Sequence, residues 1–126
     1  MNRKLAREKA FQALYQIDIN KDVSTEQILE SLEDNQDDLR KELIEGVIRE
    51  RDDLDQQISD KLEKWSFSRI GTVEKTVLRI AVYEIFHVEQ TPNKVAVNEA
   101  IEIAKKYNDD QSGKFINGIL SKFMTE

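Results

Sequence analysis

The most apolar stretch of the chain, residues 72–90, has hydrophobic side chains at nearly every angle of a helical wheel. A helix without a polar face is typically buried, so this segment predicts a central helix against which the other helices pack. Its nineteen residues include no Gly or Pro and are too long for a typical strand, while its five charged side chains are too many for a membrane span. Thr72 is the predicted N-cap, and Pro92 lies just beyond the predicted end.

Six further segments have the spacing of amphipathic helices, with apolar residues recurring every three or four positions. They cover residues 2–20, 24–35, 37–50, 54–65, 94–107 and 113–124. Ser24 and Gln27 have the form of a capping box, and Trp65 is predicted to anchor the core. Gly46 and Gly118 lie inside helical segments, where a close helix crossing would explain them. The pattern therefore predicts an all-α protein of about seven helices.

The first predicted helix has two distinct faces. Ala6, Ala10, Ala13, Leu14 and Ile17 form its core stripe, and a second flank of about 80° mixes cations with aromatic rings. That flank holds Lys4, Arg7, Phe11 and Tyr15, with Arg3 beside it. Cations that meet phosphates and rings that stack on unpaired bases are typical of single-stranded RNA surfaces. The alternative is that both rings widen the core stripe while the cations are simply solvated.

Charge is distributed unevenly along the 126 residues. The net charge of −6 argues against nucleic-acid binding when it is taken alone. Residues 1–20, however, carry four basic and two acidic groups, whereas residues 21–64 carry seven basic and fifteen acidic groups. A basic surface outside the middle block therefore remains compatible with the acidic total.

The length and composition favour a single cytoplasmic domain, residues 1–126. There is no Cys, so the chain can form neither a disulfide nor a thiolate metal site. The first residues lack the apolar run and the cleavage pattern of a secretory signal. We therefore expect an unprocessed cytoplasmic protein that is not bound to a membrane.

Nothing in the sequence assembles a catalytic or cofactor site. Asp52, Asp53 and Asp55 are interpreted as a solvated acidic face, because no His or calcium-type loop accompanies them. Glu84 falls among apolar neighbours on the wheel, so it is predicted to be buried and to need donors or a cation. His87 is interpreted as a helix-end side chain. No phosphate loop, nucleophile elbow or metal motif occurs, so we expect no enzyme, cofactor or metal.

Four stretches of the sequence resemble the NusB family of bacterial transcription antitermination factors. They are AREKAFQALYQ at 6–16, VEKTVLRIAVYEI at 73–85, PNKVAVNEAIEIAKKY at 92–107 and KFINGIL at 114–120. The resemblance implies a seven-helix fold of two packed helical bundles. It also implies binding of single-stranded boxA RNA together with the ribosomal protein NusE, without catalysis. The resulting assembly would help RNA polymerase read through terminators, chiefly in ribosomal RNA operons.

The resemblance also implies which residues form each surface. The RNA-binding set is Arg3, Lys4, Arg7, Lys75, Ser112, Lys114, Phe115 and Asn117. The NusE-binding set is Tyr15, Glu74, Arg79 and Glu84. Four phosphate contacts would give a salt slope of about −3 for single-stranded RNA. Two alternatives stay open at this point: a protein-only helical adaptor, and a homodimer that masks the RNA surface.

Overall fold

The computed structural model describes residues 2–32 and 38–124. In chain order its elements are α1 (Arg3–Ile19), α2 (Thr25–Ser31), α3 (Asp38–Lys61), a short 3-10 helix (Phe67–Arg69), α4 (Thr72–His87), α5 (Asn93–Tyr107) and α6 (Asp110–Met124). The described part of the chain contains no strand, so the predicted all-α class is confirmed. The predicted end of the second helix near Asn35, and the predicted start of the third at Asp37, lie outside the described residues.

Helix α4 is the central element. It contacts α1, α3, α5 and α6, and ten of its sixteen residues are buried. Helices α1 and α3 pack against each other on one part of α4, and α5 and α6 form a second pair. One continuous hydrophobic core joins both pairs through α4. The prediction of a buried central helix is therefore confirmed.

Several helix ends differ from the sequence prediction for local reasons. Gly71, not Thr72, is the N-cap of α4. Helix α6 begins at Asp110, three residues before the predicted start, because the Asp109 carboxylate accepts the Ser112 N–H at 2.8 Å and satisfies a free donor of the first turn. The capping box of α2 is confirmed, since Ser24 and Gln27 bond each other's backbone N–H groups.

The two helices predicted at 37–50 and 54–65 are one continuous helix, α3. No Gly or Pro separates them, and side-chain hydrogen bonds link successive turns directly after the expected break. Gln57 donates to Asp53 at 2.8 Å, and Gln56 donates to Asp60 at 2.9 Å. Helix α3 nevertheless ends at Lys61, so Trp65 leaves the helical register and is 58% exposed. Its predicted role as a core anchor is wrong.

Only one of the two predicted close crossings exists. A Cβ added at Gly46 would lie 2.1 Å from Cζ of Tyr83 on α4, so the backbone of α3 needs a glycine there. At Gly118 a Cβ would meet nothing within 4 Å, and the predicted crossing is wrong.

These two glycines provide a matched pair of substitutions. Gly46→Ala is expected to lower the free energy of unfolding by about 1–3 kcal/mol, because the new methyl group overlaps the Tyr83 ring. Gly118→Ala is expected to raise it by about 0.5–1 kcal/mol, because alanine has the higher helix propensity and the site is open. Urea denaturation followed by far-UV circular dichroism measures both values. Equal effects of the two substitutions would contradict the crossing.

Candidate nucleic-acid interface

The N-terminus of α1 is joined to the C-terminal end of α4 by a chain of hydrogen bonds. Arg7 Nε lies 2.9 Å from both carboxylate oxygens of Glu84, and Arg7 Nη2 lies 2.7 Å from Oε2. The hydroxyl of Thr91 donates to the same Oε2 at 2.8 Å, and Arg3 Nη2 donates to the Thr91 oxygen at 2.9 Å. Glu84 is 1% exposed, so the prediction that it is buried and paired is confirmed.

Arg7 is not a surface residue. It is 4% exposed, and both readings of the mixed flank of α1 had placed its cation in solvent. Phe11 is 1% exposed and packs on the rings of Tyr15 and Tyr107, so for this ring the core interpretation is correct. Tyr15 is half-buried. The flank lies inward because α1 contacts α5 as well as α3 and α4, which covers more than one stripe.

Arg3 and Lys4 stay exposed at the start of α1. With Gln90, Pro92 and Val95 they line an open cleft of about 430 Å³. Neither cation forms an ion pair with any carboxylate of the described residues. Among the residues that the structure describes, Arg3 bonds the neutral hydroxyl of Thr91 and no carboxylate, so no direct ion pair competes with an incoming anion.

The nearby acid Glu8 does not neutralise Arg3 or Lys4. Its carboxylate accepts from Lys106 Nζ at 2.6 Å and from the Tyr107 hydroxyl. These hydrogen bonds, Lys106 first, lower the pKa of Glu8, and burial raises the pKa of Tyr107. Glu8 is therefore ionised near neutral pH and pairs with residues of α5. It does not pair with Arg3 or Lys4, although it lies close to them in the sequence of α1.

A second cluster surrounds Glu74 at the N-terminal end of α4. Its carboxylate accepts from Asn108 Nδ2 at 2.6 Å and from the Ser112 hydroxyl. Ser112 and Glu74 are both buried, while Phe115 is half-buried. Lys114 and Asn117 project into solvent from the same helix, and Lys114 has no ion-pair partner among the described residues.

The predicted RNA-binding residues thus fall into two groups rather than one. The group that contains Arg3 is connected by hydrogen bonds to Glu84, and the group that contains Ser112 is connected to Glu74. The two glutamates are ten residues apart on α4, which is about 15 Å along the helix axis. A single nucleotide cannot touch both groups. A strand of several nucleotides can.

Arg79 is the third buried charge of α4. It is 5% exposed and bonds Asp55 of α3 at 2.6 and 3.1 Å and Asp18 of α1 at 3.0 Å. Asp55 is therefore a structural partner rather than a metal ligand. Lys75 lies 5.1 Å above the ring of Phe67, a cation–π contact that holds it near the 3-10 helix.

Sequence reasoning missed an exposed cleft of about 320 Å³ beside the second cluster. Trp65 and Arg69 line it together with Phe115; Trp65 had been predicted to anchor the core, and Arg69 had been given no functional role. Trp65 lines this cleft because α3 ends at Lys61, before the helix reaches it. Periodicity could not reveal it, because the preceding residues continue a helical pattern.

The described part of the chain contains neither a candidate metal site nor a helix that could span a membrane. Between 2–32 and 38–124 no group of three or more His, Cys, Asp or Glu side chains could hold a metal ion. Within the same ranges, no helix has the length and hydrophobicity to cross a membrane.

Comparison with known proteins gives consistent matches over nearly the whole chain. The model of the NusB family matches residues 4–125. The transcription antitermination protein NusB of Oceanobacillus iheyensis is 48% identical over 126 residues, which cover 98% of this chain and 99% of that protein. The structure of T. maritima NusB superposes with a TM-score of 0.84 at 41% identity, covering 97% of this chain and 89% of that one. A crystal structure of the antitermination factors NusB and NusE in complex with double-stranded RNA has a TM-score of 0.80 at 32% identity, covering 95% and 93%.

Proposed function

This chain belongs to the NusB family and is a transcription antitermination factor, and on that premise we propose that it binds single-stranded boxA RNA as a complex with NusE. The complex would act on RNA polymerase, helping it read through terminators, chiefly in ribosomal RNA operons. This activity belongs in the bacterial cytoplasm. The structural relative that contains NusE and RNA supports the choice of partners.

The observation that carries the proposal is a set of unpaired, exposed cations. The chain has a net charge of −6, and within the described residues seven cations are paired with carboxylates: Arg7, Arg49, Arg51, Arg79, Lys105, Lys106 and Lys122. Arg3, Lys4 and Lys114 are exposed and have no such partner in the described structure. Phosphate contacts supply much of the affinity of proteins for nucleic acids, and these three cations also belong to the RNA-binding set that the family resemblance implies, so we propose them as the phosphate ligands.

We assign the RNA-binding residues to two roles according to their exposure. Arg3, Lys4, Lys114 and Asn117 would contact RNA directly, and Phe115 would stack on a base. The buried set would position the surface elements. Its members are Arg7, which joins α1 to α4, and Ser112, which joins α6 to α4. Lys75, held over Phe67, would supply additional positive potential.

For NusE we propose a surface that includes Tyr15 and the exposed end of α1. Tyr15 is half-buried against Phe11, and Ile19 at the end of the helix is 48% exposed. Half-buried aromatic residues next to exposed apolar ones are typical of protein interfaces. The remaining members of the predicted set, Glu74, Arg79 and Glu84, are at most 9% exposed and would support this surface through their ion pairs and hydrogen bonds.

The proposal is tested by fluorescence anisotropy of a labelled boxA RNA and of a scrambled RNA, titrated with the protein in the presence and absence of NusE. We expect tighter binding to boxA than to the scrambled RNA, and a further gain when NusE is present. For the protein alone, three phosphate contacts give a salt slope of about −2, since the burial of Arg7 removes the fourth. NusE binding without any RNA binding would instead favour the protein-only adaptor.

A further inference from the structure

Trp65 is the only tryptophan of the chain, and it is 58% exposed. It lies between the end of α3 and the 3-10 helix, where it lines the cleft of about 320 Å³ that also holds Arg69 and Phe115. A large ring that is left in solvent at the mouth of a cleft loses the free energy of burial that a core position would provide. The residues around Trp65 therefore indicate which kind of ligand could cover its ring.

The lining of this cleft combines apolar side chains, two of them aromatic, with polar ones. Trp65, Ile70 and Phe115 supply the apolar surface. Gln111, which is exposed, adds an amide donor and acceptor to the lining, and exposed Asn108 adds its amide oxygen, because its amide nitrogen already donates to Glu74. Such a combination suits a planar ring with hydrogen-bonding edges, which is the shape and chemistry of a nucleobase.

The charges inside the cleft disfavour a phosphate group. Arg69 is its only basic lining residue in the described structure, and Glu74 and Asp109 are two acidic ones. Glu74 is already bonded by Asn108 and Ser112, and Asp109 caps α6. An anion would meet a net negative environment here, whereas an uncharged base would not. The cation that could hold the attached phosphate is Lys114, which is next in sequence to Phe115 and exposed to solvent.

We propose that this cleft binds one unpaired base of the RNA, stacked on Trp65 with its edge facing Asn108 and Gln111. The inference rests on the proposed function, because Phe115 and Ser112 belong to both the cleft and the RNA-binding set. It goes further in assigning a base-binding role to Trp65 and Arg69. Arg69 supplies a planar guanidinium to the same lining, and such a group can stack on a base or bond its edge.

The single tryptophan makes the test direct. Unlabelled boxA RNA is titrated into the complex with NusE while Trp65 emission is recorded, with NusE alone as the blank, and anisotropy of the labelled RNA is measured in parallel. We expect Trp65 emission to be quenched with the same midpoint as the anisotropy change. RNA binding without a change in emission would overturn the base site and leave the proposed function standing. No RNA binding would overturn both.

Substitution separates stacking from general effects. Trp65→Ala is expected to weaken RNA binding roughly 5- to 150-fold, the range for loss of one base–aromatic stack, and Trp65→Phe is expected to weaken it less. Phe86→Ala is the matched control, because Phe86 is also an aromatic residue and 55% exposed but lies outside the cleft. RNAs that each lack one base should identify a position whose loss weakens binding to the native protein but does not weaken binding to the Trp65→Ala variant. If NusE alone changes the Trp65 emission and RNA adds nothing, the cleft binds the protein partner and the inference fails.

Discussion

Replacing Arg7 by alanine is expected to lower the free energy of unfolding by about 3–5 kcal/mol, because it leaves the carboxylate of Glu84 buried without its cation. Glu84 is 1% exposed and Arg7 supplies three of the four hydrogen bonds that its oxygens accept in the described structure. Thr91 alone cannot replace the lost charge. Urea denaturation of the native protein and the variant, followed by far-UV circular dichroism, measures the difference.

Two controls separate burial of the charge from loss of the side chain. Arg51→Ala breaks an ion pair with Asp18 in which the arginine side chain is 43% exposed, so it is expected to cost about 1 kcal/mol or less. Replacing Arg7 by Met together with Glu84 by Leu removes both charges, and we expect it to recover most of the stability lost in Arg7→Ala. If Arg7→Ala is no more destabilising than Arg51→Ala, Glu84 is not an uncompensated buried charge.

This ion pair also bears on function. Arg7 fixes the first turns of α1 against α4, and Thr91 extends the same network to Arg3. The exposed cations at the start of α1 therefore stand on an element whose position is set by buried hydrogen bonds. Binding groups on rigid elements lose less conformational entropy when they meet a ligand. A substitution at Arg7 would accordingly reduce RNA binding through position rather than through a lost phosphate contact.

The sequence was sufficient to predict the all-α class, the central helix and the buried carboxylate, because these depend on local spacing, whereas the division of α3 into two helices was wrong. The position of Glu84 among apolar residues indicated that it needed a cation. It could not indicate which one, since Arg7 is 77 residues away in the chain and is brought to Glu84 only by the packing of α1 on α4. For the same reason Arg7 was placed on the surface: a helical wheel shows which residues share a face but not how many helices cover it.

The predictions for Trp65 and Gly118 were wrong although each followed from the local sequence pattern. The apolar spacing before Trp65 is helical, yet α3 ends at Lys61 and the ring faces an open cleft. Gly118 lies within α6, but no neighbouring element approaches it. Whether a helix stops one turn early, or whether another helix crosses it, depends on contacts that are distant in sequence. The base-binding cleft could therefore be recognised only in three dimensions.

Reversing the charges of Arg3, Lys4 and Lys114 together, each to Glu, is expected to weaken binding of boxA RNA by the protein at least about 100-fold at 0.1 M salt. Each phosphate contact contributes about 0.7 to the logarithmic salt slope, so three contacts account for about two powers of ten at that concentration. Repulsion by the new carboxylates adds to this loss. All three side chains are exposed and none is in an ion pair of the described structure, so stability should change little.

The control reverses Lys9, Lys21 and Lys105, which are also exposed and lie outside both proposed RNA-contact groups. Lys105 pairs with Glu102, but both side chains of this pair are about half exposed, so its loss should change stability little. Both triple variants have the same net charge, so a difference between them measures position rather than overall electrostatics. Anisotropy titrations at several salt concentrations should give a slope near zero for the first variant and about −2 for the control. Equal losses in the two variants would mean that RNA senses only the total charge, and the assignment of a phosphate-binding surface to the starts of α1 and α6 would fail.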